Sequence, residues 1–490
     1  MQASPADSVV LTPPHESAPG AGAAVEQIPK TRSRIPWWIQ ALAGTLFLAY
    51  ATLSLRLHQR LFSAAYDLGI FEQVVRSYAN GHLPVSEIKG PDFPVLGDHF
   101  SPVLALVAPF YRLWPTPVTL LVVQSALIAA SVLPLTVWAR RTLGSLAAAV
   151  IGVCYGLSWG VAIAVGRDFH EVAFAVPLLA CSVVALGSDR PRAAACWALP
   201  LLLVKEDLGL TVAVIGLLIA RRGERRLGTI TACAGLAALP LTMLVIVPAF
   251  NPAGDYAYLS MLSGSGGGEN GPGDLLHRVT IGLITPETKV VTLLLVLAPT
   301  LFLALRSPLL WVALPTLLWR FASLRSTDWG TGTHLSLVLM PVVFAAFVDA
   351  LARRRPDRSS LRRHLAGSAA VTLLLLPQYP LWQLVQPATW RTDPRVAAAH
   401  RVMDRIPDDA TVQASNYLVP HLTSRTSVSL HGWAVSRPDP QWIVLDTWVP
   451  AHRRWPENLL EERRSLERAR AQGYFTVVDE QGFVLLRRPD

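Results

Sequence analysis

The sequence predicts a polytopic α-helical membrane protein with a small α/β domain at its C-terminal end. Three observations lead there. Hydrophobic residues make up 52% of the 490 and charged residues only 16%, where a soluble chain carries about 25% charge. Apolar stretches recur along the chain, many long enough for a hydrocarbon core about 30 Å thick. They are continuous rather than alternating, which selects helices over a closed barrel. Beyond residue 386 the pattern changes to short strand-like runs between helical ones.

Residues 1–34 are rich in Pro and Ala and read as a disordered cytoplasmic tail. No cleavable signal is expected, because no charged start leads into an apolar run. Lys30, Arg32 and Arg34 precede the first span, at about 37–55, and set the N-terminus in the cytoplasm. A polar outer loop follows at 56–101, then a short apolar piece at 102–114. Ten further spans are expected near 118–138, 144–165, 172–187, 193–204, 208–220, 227–248, 290–305, 308–322, 334–351 and 365–385. About eleven spanning helices thus fill 35–385, and the pair at 193–220 is short enough to be a re-entrant unit. The alternation puts Arg140-Arg141, Arg190 with Arg192, Arg221 to Arg226, and Arg353 to Arg363 in successive inner loops. The last span then exits outside, so 386–490 is expected on the extracytoplasmic face.

The net charge of +9 follows from those inner loops and calls for no nucleic-acid partner. Cys154, Cys181, Cys196 and Cys233 all fall in apolar stretches, which argues against a disulfide framework or a zinc knuckle. In the tail, 394–406 has helical spacing and 457–471 is an amphipathic Arg/Glu-rich helix. Strands are expected at 411–415, 426–430, 442–446, 474–478 and 483–486, with Gln481-Gly482 as a hairpin turn.

The informative feature is the acidic outer face. Asp67, Asp98 beside His99, Arg167-Asp168-Phe169-His170-Glu171 and Lys205-Glu206-Asp207 all lie within a turn or two of a membrane boundary. Ionisable groups at that depth are costly and tend to line a cavity. Acids, imidazoles and a lysine on one face supply the parts of a general base and an anion clamp. The plain alternatives are solvated loop acids, an ion pair at a helix break for 205–207, and Arg167 or Arg320 reaching for headgroups.

Tyr66-Asp67-Leu68-Gly69-Ile70-Phe71-Glu72-Gln73, Gly97-Asp98-His99-Phe100-Ser101-Pro102, Asp168-Phe169-His170 and Lys205-Glu206-Asp207-Leu208-Gly209 resemble a bacterial membrane-protein family. It is catalogued as domain of unknown function twenty seventy-nine. Ala414-Ser415-Asn416, Pro420-His421-Leu422 and Gly473-Tyr474 in the tail are similar to it as well. That family looks like a distant branch of the GT-C glycosyltransferases, multi-span enzymes that use polyprenyl-phosphate sugars at the outer face. The resemblance implies a catalytic Asp in the first outer loop, where Asp67 stands, and a lysine near the end of a middle span, where Lys205 stands. His334-Leu335 lies where relatives carry His-Tyr.

The expected function is transfer of a sugar from a polyprenyl-phosphate donor to an acceptor, in the cell membrane. Asp67 would be the base. Lys205 and Arg167 would face the lipid phosphate. Asp98, His99, Asp168, His170, Glu171, Glu206 and His334 would bind or position substrate, with a divalent cation as a possible cofactor and no other expected. Two rivals stand beside it: a transporter or flippase, and a non-catalytic membrane scaffold. No internal repeat is apparent, which tilts toward the enzyme.

Overall fold

The computed structural model describes residues 34–256 and 280–489. The expected tail at 1–34 falls almost wholly outside these residues, as do Glu269 and Asp274 of a later loop. From Trp37 onward the described chain is one compact unit.

Its larger part is a helical bundle. Helix Trp37–Gln59 packs on Val118–Leu143, which in turn packs on Ser145–Gly156, Ala175–Gly187 and Leu339–Arg354. The last of these is buried over 13 consecutive residues from Leu339 to Leu351, so it forms the centre of the bundle. Helices Leu208–Arg221 and Arg225–Leu241 form a tight hairpin. A Cβ added at Gly216 would lie 2.7 Å from the Gly228 carbonyl oxygen, so the two backbones meet there and no larger residue fits.

Among the described residues, three helices are long and apolar enough to cross a membrane: Trp37–Gln59, Val118–Leu143 and Arg225–Phe250. Two bent pairs raise the count to five, Ser145–Gly156 with Trp159–Val165 at 44° and Ser326–Ser336 with Leu339–Arg354 at 69°. The expectation of about eleven counted apolar runs, and the structure breaks many of them. Leu208–Arg221 has 14 residues, about 21 Å at 1.5 Å per residue. The run at 290–305 leaves its helix at Leu297, and Leu301 and Phe302 turn left-handed after Pro299. The run at 365–385 gives way at Pro377 to short 3₁₀ turns. Proline supplies the break in both, since it donates no backbone hydrogen bond.

The smaller part is a five-stranded sheet of order β2-β1-β3-β5-β4. The strands are β1 (Thr411–Ala414), β2 (Ser427–Leu430), β3 (Trp442–Asp446), β4 (Phe475–Glu480) and β5 (Phe483–Arg487). β2, β1 and β3 are parallel, and β3, β5 and β4 antiparallel. Gln481 and Gly482 both take positive φ, which is what a two-residue hairpin turn of matching twist requires. Helix Leu459–Ala471 opens on an Asn458 and Glu461 capping box. All five strands and both helices lie within a few residues of the sequence expectation.

The two parts share the segment between them. Leu68 and Phe71 belong to the core of the bundle. Leu61, Ala65, Ile70 and Ile88 belong instead to the core under the sheet, with Ala399, Val419 and Leu485. The stretch 61–71 is therefore gripped by two cores at once.

Candidate functional site

That stretch carries Asp67. Its backbone sits at φ 84° and ψ −96°, close to the strained γ-turn that non-glycine residues rarely adopt. Two successive amides hold it there. The Ala64 N–H donates to Asp168 Oδ2 at 2.7 Å. The Ala65 N–H donates to Asn416 Oδ1 at 3.0 Å and to the Asn416 carbonyl at 2.9 Å. The bundle supplies the first acceptor and the sheet the second.

The Asp67 carboxylate is 46% exposed, with Oδ2 3.1 Å from His170 Nε2. His170 itself is buried and aimed by its surroundings. Its Nδ1–H donates to the Asp168 carbonyl at 2.7 Å, and its backbone N–H to Gln124 Oε1 at 2.9 Å. Nε2 therefore faces Asp67, although no hydrogen bond of good alignment reaches it, so the pair is a charge contact. Burial would neutralise both groups. Their mutual attraction outweighs it, holding the Asp67 carboxyl below its ordinary range and the His170 imidazole above its own. The His334 ring lies against His170 with centroids 3.4 Å apart.

Around them lies a cavity of about 530 Å³. Its wall includes Asp67, Asp98, His99, Arg167, His170, Glu171, Lys205, Glu206 and His334. Asp168, the remaining sequence candidate, turns its carboxylate to the Ala64 amide instead, and burial raises it to about 7. Several of the other charges are paired. Lys205 Nζ meets Glu171 at 2.7 Å, from the turn after His170 and not from its own neighbours. Burial alone would lower Lys205, but Glu171, Glu206 and Asp207 raise it and keep it an ammonium. Glu206 accepts from Tyr256 Oη at 2.7 Å and from the Phe100 N–H at 3.2 Å, and pairs with His99 Nδ1 at 2.8 Å. Burial opposes its charge, yet His99 and Lys205 bring Glu206 down to about 2. Lys89 pairs with Asp98 at 2.8 Å.

Arg320 also stands at the cavity wall, held by the protein itself. It is buried, and donates to the carbonyls of Asp328 and Gly330 and to Ser336 Oγ, which fixes the loop leading to His334. Among the described residues, no three His, Cys, Asp or Glu side chains converge as metal ligands.

The sequence reading missed Lys89, Arg325 and Tyr256, which line the cavity, and Gln124 and Asn416, which shape it from behind. Arg325 had a signal, a lone arginine in a loop expected to be poor in basic pairs. Gln124 had none, since it lies mid-way along an apolar run.

A helical bundle joined to a small mixed sheet, with a cavity lined by acids, bases and imidazoles, is the fold. ArnT from Cupriavidus metallidurans shares it. The crystal structure bound to undecaprenyl phosphate matches with a TM-score of 0.53 and 13% identity, over 92% of this chain and 98% of that one. The apo structure of ArnT matches with a TM-score of 0.55 and 12% identity, over 92% and 97%. The family described as predicted membrane protein (DUF2079) matches residues 57–486, and the chain belongs to it. No curated protein matches.

Proposed function

We propose that the protein is a membrane glycosyltransferase that moves a sugar from a polyprenyl-phosphate donor to an acceptor hydroxyl at the extracytoplasmic face. The observation that carries this is Asp67: an anion, open to a large cavity, on a strained loop pinned from two sides. Strain of this kind persists only where the surroundings over-determine it, and it clusters at functional sites.

In the proposed reaction the acceptor oxygen attacks the anomeric carbon from the face opposite the phosphate. A new C–O bond forms, the bond to the phosphate oxygen breaks, and the lipid phosphate leaves with its electron pair. Asp67 takes the acceptor proton. His170 keeps Asp67 ionised and also weakens it as a base, so the proton moves only as bond-making acidifies the hydroxyl. Arg167 and Arg325 would meet the phosphate. Arg167 spends one nitrogen on the Gly332 carbonyl, while Lys205 is committed to Glu171 and acts from behind. Fold likeness to an undecaprenyl-phosphate-binding protein supports the donor class but does not fix the activity.

The positions of the arginines support an outward-facing cavity. Gln124 stands near the cavity end of helix Val118–Leu143, and Arg140 and Arg141 end it at the other. Leu208–Arg221 and Leu339–Arg354 likewise start by the cavity and finish in arginines. With positive charge inside, the cavity and the sheet face outward. The proposed organisation is a cytoplasmic tail at 1–34, a membrane-embedded helical bundle over 35–385, and an outer α/β domain at 386–490.

A deletion strain tests the function. It should lack one envelope glycan and accumulate a polyprenyl-phosphate sugar. An unchanged glycan with trapped cytoplasmic substrate would favour the transporter instead.

A further inference from the structure

The proposed reaction needs a second substrate, and a run of aromatic rings leads from the cavity to the surface. Tyr66 lines the cavity wall directly before Asp67. Its ring meets Trp455 edge-on with centroids 4.9 Å apart, and Trp433 edge-on at 5.6 Å. The two tryptophans touch each other at 5.0 Å. Trp455 is 39% exposed, so the run reaches solvent. Both tryptophans come from the C-terminal part, more than 360 residues from Tyr66 in sequence.

Tyr66 and Trp433 pack on one side against the core under the sheet. Polar groups stand beside the rings as well: Lys89 Nζ lies 5.0 Å from the Tyr66 ring centre and pairs with Asp98. The Tyr66 hydroxyl feels burial first, then Asp98, and its pKa is raised to about 12, so it remains a neutral donor at the cavity edge. Aromatic rings ringed by a few fixed polar groups form a surface for a ligand with one apolar face and a polar rim. A pyranose has that shape, with axial C–H bonds on its faces and hydroxyls around its edge. A lipid tail would cover the Lys89–Asp98 pair with hydrocarbon, and desolvating such a pair is costly.

We propose that Tyr66, Trp433 and Trp455 form the acceptor platform, and that the acceptor is a saccharide whose pyranose ring lies on these rings with a hydroxyl turned toward Asp67. The word acceptor rests on the transferase reading; the saccharide site itself does not.

The experiment is direct binding to the full-length protein in nanodiscs, read by tryptophan fluorescence and saturation-transfer NMR. Maltotriose and triacetylchitotriose are the probes. Saturable binding of at least one is expected. Trp455→Ala should weaken it about tenfold, the worth of one aromatic contact. Trp455→Phe should keep most of it, which separates lost stacking from lost folding. Trp114→Ala, an exposed tryptophan on another loop, should change nothing. Absence of binding to both sugars, or binding indifferent to Trp455→Ala, overturns the platform. Sugar binding in a protein whose deletion accumulates no lipid-linked sugar would keep the platform and defeat the transferase reading.

Discussion

The bundle and the sheet hold the Asp67 loop by adjacent amides, but with different chemistry. The bundle offers Asp168, a carboxyl that burial raises to about 7. The sheet offers Asn416, a neutral amide backed by its own carbonyl. The first clamp titrates and the second does not. The first is continuous with the charge system of the cavity, since the same residue's carbonyl aims His170. The second is continuous with the apolar core under the sheet. The bundle thus tunes the loop, and the sheet gives it a rigid back.

The largest stability effect is expected inside the charge system. Lys205→Met leaves Glu171 buried without its cation, and breaking such a pair costs about 3–5 kcal/mol. Thermal unfolding of the purified variant checks this, and a loss under about 1 kcal/mol would mean that solvent screens the pair.

Next come the clamps. Asp168→Ala strips the Ala64 amide of its acceptor and should cost about 1–3 kcal/mol. Asn416→Ala should cost less, because the residue's backbone carbonyl still accepts from Ala65. Equal losses in the two variants would erase the distinction between tuning and backing.

The pH-dependent effect is the most selective. Asp168 has a folded pKa near 7 against an ordinary 3.8. Its stability contribution is therefore complete below pH 3.8 and lost as pH rises through about 7. Asp168→Asn keeps an acceptor oxygen and removes the titration. Its melting temperature should approach wild type in acid and exceed it above pH 7. A parallel pair of curves would show that this carboxyl is solvated after all.

The same contrast marks what the sequence could tell. The sheet was legible almost to the residue, because alternation, an Asn458 cap and a Gln481-Gly482 turn are local signals. The bundle was legible as membrane helices but not as a count, because proline-broken turns and short helices look like full spans by hydropathy. Nine of the ten site residues share one cavity, and the basis for that was boundary position. Their pairings were not legible. Lys205 was weighed as a local ion pair with its neighbours, whereas its partner is Glu171. Glu72 lies in one of the recognised motifs, and only the structure shows that it is fully buried and accepts from Tyr111. Asn416 stood in a recognised motif without a role, since its partner lies 351 residues away. Packing decides such contacts, and no short window of sequence contains it.

The central claim is that Asp67 takes the acceptor proton. Purified protein, supplied with membrane lipid extract from the deletion strain as donor source, measures this most directly when wild type and Asp67→Asn are compared for sugar release from polyprenyl phosphate. The account predicts a fall of about 10²–10⁴-fold, with donor binding and melting temperature near wild type. Turnover by Asp67→Asn within a few fold of wild type would contradict it.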